Sequence, residues 1–166
     1  MTGIDCLLYL HHELDRYTED QIHHISQPGV WSLGQMYDHI LLVAHEYMDE
    51  VEICASLTTD TADGKTPFGE ELFRQNAFPP VKIRLPDEMN APPDNTDKRN
   101  RLKERLLELI ERMEDWSKRL DHIEPQRKTR HGGFGSLNAQ EWYQLIEMHT
   151  RHHFRQKKEL EQILLS

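Results

Sequence analysis

EWYQLIEMHTRHHFRQKKELEQIL, residues 141–164, sets Trp142, Ile146, Leu160 and Ile163 at helical spacing, and the same stripe runs through His149, His153 and Gln156. A helix built this way turns two imidazoles inward, one turn apart, where leucines would otherwise fill a core. WSLGQMYDHILLVAHEY, residues 31–47, repeats the pattern, with His39 between Met36 and Val43 on an inward stripe. An apolar interior tolerates imidazole only where its polar nitrogens find partners, and a divalent metal ion is a partner that takes several at once.

Working outward, a first helix is expected over Ile4 to Ile25, with Ile4, Leu7, Leu14, Ile22 and Ile25 on one face and His11 on that face too; Pro28-Gly29 ends it. The second helix starts after Trp31, with Ser32 as N-cap and Gln35 completing a capping box, and runs to Leu57. Its inward stripe is Met36, His39 or Ile40, Val43, Tyr47 and Val51. From Thr58 to Thr96 the periodicity dissolves into TTDTADGKTP, FPPVKIRLP and NAPPDNTD, which hold six of the eight prolines. Such a stretch reads as a long crossover. A short helix over Gly69 to Gln75 interrupts it, and Phe68, Phe73 and Phe78 would pack it onto the body. The third helix, Asp97 to Leu120, alternates spacings of four and three through Leu102, Leu106, Leu109, Met113, Trp116 and Leu120. HIEPQRKTRHGGFGS cannot stay helical, and its glycines imply a tight turn into Asn138, the N-cap of the fourth helix, with Glu141 at the capping-box position. The expected fold is all-α, a four-helix bundle with a long crossover between the second and third helices.

At 166 residues the chain suits one domain with one core, residues 1–166. No uncharged apolar run approaches the roughly 20 residues of a membrane span. MTGIDCLLYLHHELDRY breaks its apolar stretch with Asp5, His11, His12 and Glu13, unlike a secretory signal, so a cytoplasmic location is expected. Cys6 and Cys54 make neither a disulfide framework nor a CxxC site and read as small, reduced core residues. A net charge of −9 argues against nucleic-acid binding, which needs a basic surface. KRNRLKER is interleaved with Asp97, Glu104 and Glu108 and reads as a solvated helix face; QRKTRH is an exposed basic loop or an attractor for an anion.

Histidine is the compositional outlier, 11 residues spread along the chain. Pairs such as His11-His12, His23-His24 and His152-His153 diverge by about 100° on a helix, so position has to select the few that matter. His149 and His153 lie on one face about 6 Å apart and can share an ion, with His39 arriving from the second helix. Three neutral imidazoles would leave a coordination position open, as in catalytic zinc sites. The ligand type suits zinc, nickel, iron or copper. The alternative is a set of core histidines satisfied by backbone carbonyls or a carboxylate. Gln35, Glu46 and Gln156 are placed to orient a ligand or line the pocket. His11 reads as a fourth ligand, a proton shuttle or a hydrogen-bonded core residue; His131 would cap its turn or overlook the pocket; His152 is turned aside by its neighbour.

WSLGQMYDHI resembles the first motif of the DinB-like metalloprotein superfamily. HGGFGSLNAQEWYQLIEMHTRHHFRQ is similar to its closing motif, a histidine-containing turn with Phe-Gly followed by a tryptophan helix carrying HxxxHxxQ. The helix order agrees over nearly the whole chain. The resemblance implies that His39, His149 and His153 are a metal triad and that the protein is a homodimer; for the divalent ion, zinc or nickel is expected foremost, with iron compatible. It also implies either a metal-dependent enzyme or a metal-clamped bundle. The enzyme would transfer a low-molecular-weight thiol or hydrolyse a small substrate; the bundle would be a non-catalytic dimer with a stress-linked binding role. A nucleic-acid role, suggested by the superfamily's damage-inducible name, is disfavoured by the acidic charge.

Overall fold

In the computed structural model, which describes residues 1–80 and 91–165, the chain is mostly helical with one small two-stranded sheet. The elements are α1 (Gly3–Glu13), α2 (Glu19–His23), α3 (Leu33–Ser56), α4 (Pro67–Gln75), α5 (Arg99–Ser117), β1 (Lys128–His131), β2 (Gly135–Asn138) and α6 (Ala139–Leu165). Helix α3 packs along α6, α1 lies against both α5 and α6, and α3 meets α5, so these four close around one apolar core. No described helix is long and apolar enough to cross a membrane.

The expected first helix is broken. Helix α1 stops at Glu13, a 3-10 turn follows over Leu14–Arg16, and Thr18 restarts the chain as N-cap of α2 through a capping box with Gln21. The signal was Thr18-x-x-Gln21, which offers the backbone a new start inside a stripe that otherwise reads as continuous. Leu7, Leu14 and Ile22 are buried as expected, but Ile25 lies beyond α2 and is exposed.

Ser32 and Gln35 cap α3 reciprocally. Its buried face carries Met36, Ile40, Ala44, Met48 and Val51, while His39, Val43 and Tyr47 sit half-buried on its shoulder. Ile40 rather than His39 therefore holds the core position, which is what leaves the imidazole at the edge of a crevice. Helix α5 is shorter than expected, with Leu102, Leu106, Leu109 and Met113 buried. Trp116 is only partly buried, and Arg119 lies over its indole, 3.7 Å from the ring centre. On α6, Trp142, Ile146 and Leu160 are buried, but Ile163 is on the exposed side. Cys6 and Cys54 are free and buried.

The glycine-rich turn is a β-hairpin, not the bare turn expected. Lys128 pairs with Asn138 and His131 with Gly135, and the crossover lays Lys65 antiparallel against Gly135. The Thr66 amide donates to the Phe134 carbonyl at 3.0 Å and the Ser136 amide to that of Gly64 at 3.1 Å. Thr66 then caps α4, with Pro67 in its first turn. The short helix expected over Gly69 to Gln75 thus begins slightly earlier, because threonine before proline is itself a start signal. FPPVKIRLP and NAPPDNTD fall partly outside the described residues.

Candidate metal centre

His39 comes from α3, and His149 and His153 from α6, one turn apart. Both partner Nε2 atoms lie 3.2 Å from His149 Nε2, and the three ligating nitrogens all fall within 4.8 Å of one another. Among the described residues no fourth His, Cys, Asp or Glu joins the cluster. The α6 pair is set by helical geometry; its meeting with His39 depends on the close packing of α3 and α6.

Burial keeps these imidazoles uncharged. It pulls His39 and His153 each down to about 4 and His149 well below the usual histidine range, with mutual repulsion among the cluster histidines and His152 adding to it. His153 Nδ1 lies 2.7 Å from Gln156 Oε1. An amide oxygen only accepts, so Nδ1 carries the proton and the Nε2 lone pair faces the other two rings. Nitrogen atoms this close repel unless a proton or a cation sits between them. Neutral rings, convergent lone pairs and one ring held in the ligating tautomer make a donor set that fits a divalent metal ion.

The other expected site residues are placed differently. Gln35 is consumed by its cap and by Pro93, accepting from the Ser32 amide at 3.0 Å and donating to the Pro93 carbonyl at 3.0 Å. Glu46 is exposed and makes no hydrogen bond among the described residues. His11 lies away from the cluster, beside His12 and near Lys103, so it is no fourth ligand, and among the described residues its buried Nδ1 has no hydrogen-bond partner. His131 Nδ1 accepts from the Gly133 and Phe134 amides at 3.0 and 3.2 Å and so caps its turn. His152 is turned aside from the cluster, yet its ring is only 5.5 Å from that of His153.

Aromatic rings wall the cluster. Trp31 lies 5.1 Å from His39, and Phe78 and Tyr47 lie 5.7 and 6.1 Å from His149. Trp31 and Trp142 were visible as motif tryptophans and Phe78 as a packing residue of the crossover, but nothing local in the sequence assigns them to the site. Trp142 touches Tyr47 and His131, and its buried indole N–H has no acceptor among the described residues. His131, accepting at Nδ1, carries its own proton on Nε2, so two N–H donors sit on rings 5.5 Å apart.

The family description of the DinB superfamily matches residues 8–156. The chain belongs to the DinB superfamily. No curated protein and no solved structure matches it. The match spans α3, the hairpin and α6 as far as Gln156, so all three clustered histidines of this DinB-superfamily chain lie inside it. The superfamily is metal-associated, in agreement with the donor chemistry of the cluster.

Proposed function

We propose that this DinB-superfamily chain is a metal-dependent enzyme in which His39, His149 and His153 hold a divalent ion, zinc or nickel foremost. The observation that carries the reading is the convergence of three neutral imidazoles with no fourth protein ligand among the described residues. A tetrahedral ion so held keeps a position for substrate, and would supply Lewis-acid activation of a thiol or a water molecule. The chain's own residues do the rest. Gln156 orients His153, and Trp31, Tyr47 and Phe78 form a low-dielectric wall that strengthens electrostatic interactions inside it. Transfer of a low-molecular-weight thiol to a small substrate is the preferred reaction, with hydrolysis the alternative.

The ring of helix contacts supports reading the body as a four-helix bundle with its crossover, carrying α4, between α3 and α5. The resemblance adds a homodimer, which analytical ultracentrifugation tests, and the N-terminal sequence a cytoplasmic location. A second reading, an ion that only clamps the helices of a non-catalytic, stress-linked dimer, is favoured by the ligands joining α3 to α6, the most closely packed helix pair.

Elemental analysis of untagged protein is expected to show one metal ion per chain, and His149→Ala to abolish it. Undiminished metal in that variant overturns the site. Saturating glutathione is expected to shift the visible spectrum of the cobalt-substituted protein; an unchanged spectrum removes thiol transfer and leaves hydrolysis or clamping.

A further inference from the structure

The outer face of α6 and the segment around residue 78 border an open cavity of about 190 Å³ that the metal-centre reading does not use. Ala77, Phe78 and Pro80 make its apolar wall, with Met148 buried beneath it, and Arg151, His152 and Arg155 its basic one; among the described residues no acidic side chain lines it. Its volume is about six times a water molecule's share of the liquid, room for a small organic molecule.

Both guanidiniums are held in place and keep donors to spare. Glu147 takes Arg151 in a two-point pair, Nε at 2.6 Å and Nη2 at 2.9 Å, and that Nη2 also donates to the Asn76 carbonyl at 2.6 Å. Arg155 gives Nη1 to the Pro80 carbonyl at 3.0 Å, while the Glu159 carboxylate stands 3.7 Å from its Nε. Arg151 Nη1 and Arg155 Nη2 therefore have no protein acceptor among the described residues. A planar fork with free N–H groups is complementary to a carboxylate, and anchoring it beforehand removes part of the ordering cost of binding. The opposite wall, led by the Phe78 ring, suits a hydrocarbon or aromatic body. The cavity also adjoins the three-histidine cluster: the Phe78 ring is 5.7 Å from those of both His149 and His152.

We propose that this cavity binds a small organic acid, its carboxylate on Arg151 and Arg155 and its apolar body against Phe78, over the buried Met148. On the metal-dependent reading this names the substrate class, and only the word substrate rests on that reading.

The probe is phenylacetate, titrated into the full chain while the Met148 methyl resonance is followed by NMR. Saturable shifts of that methyl are expected, with phenylacetamide and inorganic phosphate binding at least tenfold more weakly. Arg155→Gln is expected to weaken phenylacetate about tenfold or more, with Arg155→Lys in between, while metal content stays unchanged. His149→Ala is expected to lose metal but keep phenylacetate binding, so the two readings fail separately. No saturable shift, equal binding of phenylacetamide or phosphate, or full binding by Arg155→Gln overturns the proposal.

Discussion

Gln156 shows how one side chain converts a buried histidine into a ligand. Its Oε1 accepts from His153 Nδ1 and thereby aims the opposite nitrogen at His39 and His149. Removing that acceptor with Gln156→Leu is expected to weaken metal affinity by about 10- to 100-fold, with Gln156→Glu restoring it, as read by competition against a chromophoric chelator. Equal affinity of the leucine variant would refute the orienting role. Neutrality has its own consequence. His39 and His153 stand at about 4 when folded, against 6.5 when free, so the unfolded chain binds more protons as the medium is acidified. Stability of the metal-free protein is then insensitive to these groups above about pH 6.5 and falls as pH drops from there toward about 4, by up to roughly 1.4 kcal/mol per pH unit for each. Urea unfolding of the chelated protein at pH 7, 6 and 5 checks it, and a His39→Phe/His153→Phe double variant should flatten the slope. The helical repeat alone identifies His149 and His153, since position on a stripe is a local property. It does not separate His39 from Ile40, because adjacent residues differ by about 100° and only packing says which one faces the core.

At the scale of elements, α4 and the hairpin are fitted backbone to backbone. A Cβ at Gly69 would collide with the Phe134 carbonyl, and Gly135, at φ +87°, leaves no room beside Thr66 and Gly64. Alanine normally stabilises a helix by about 1 kcal/mol over glycine, yet Gly69→Ala is expected to cost roughly 2 kcal/mol by lifting α4 off the hairpin. Urea denaturation measures this, and a gain in stability would show that the two elements do not meet closely. Two helix starts were readable because a cap is made within four residues, Ser32 with Gln35 and Asn138 with Glu141, whereas the cap of Thr18 with Gln21 is hidden inside a continuous apolar stripe. The hairpin was not. LysThrArgHis has no apolar alternation, and its pairing is with GlySerLeuAsn and with Lys65, far back in the chain.

Across the whole molecule, a buried lysine joins the two ends of the chain. Lys157 on α6 is 3 % exposed and reaches Glu13 of α1 at 2.6 Å, Glu161 on its own helix and, at 3.4 Å, the Tyr9 hydroxyl. The Tyr17 hydroxyl donates to the same Glu161 at 2.9 Å. Lys157→Met leaves Glu13 and Glu161 only the exposed Arg16 as a shared cation and is expected to cost roughly 2 kcal/mol in urea unfolding, much of it recovered when Glu13→Gln and Glu161→Gln are added. No loss in the single variant would mean that solvent already screens the group. Lysine four residues after His153 reads from sequence as a solvated charge, and only the arrival of α1 buries it. That contrast divides the molecule. Helix identity, caps and the inward imidazoles follow from contacts within one or two turns, which the order of residues settles. The meeting of α3 with α6, the hairpin under the crossover, the aromatic wall and the basic cavity join residues tens of positions apart, and such contacts form only when separate elements exclude water from one shared core.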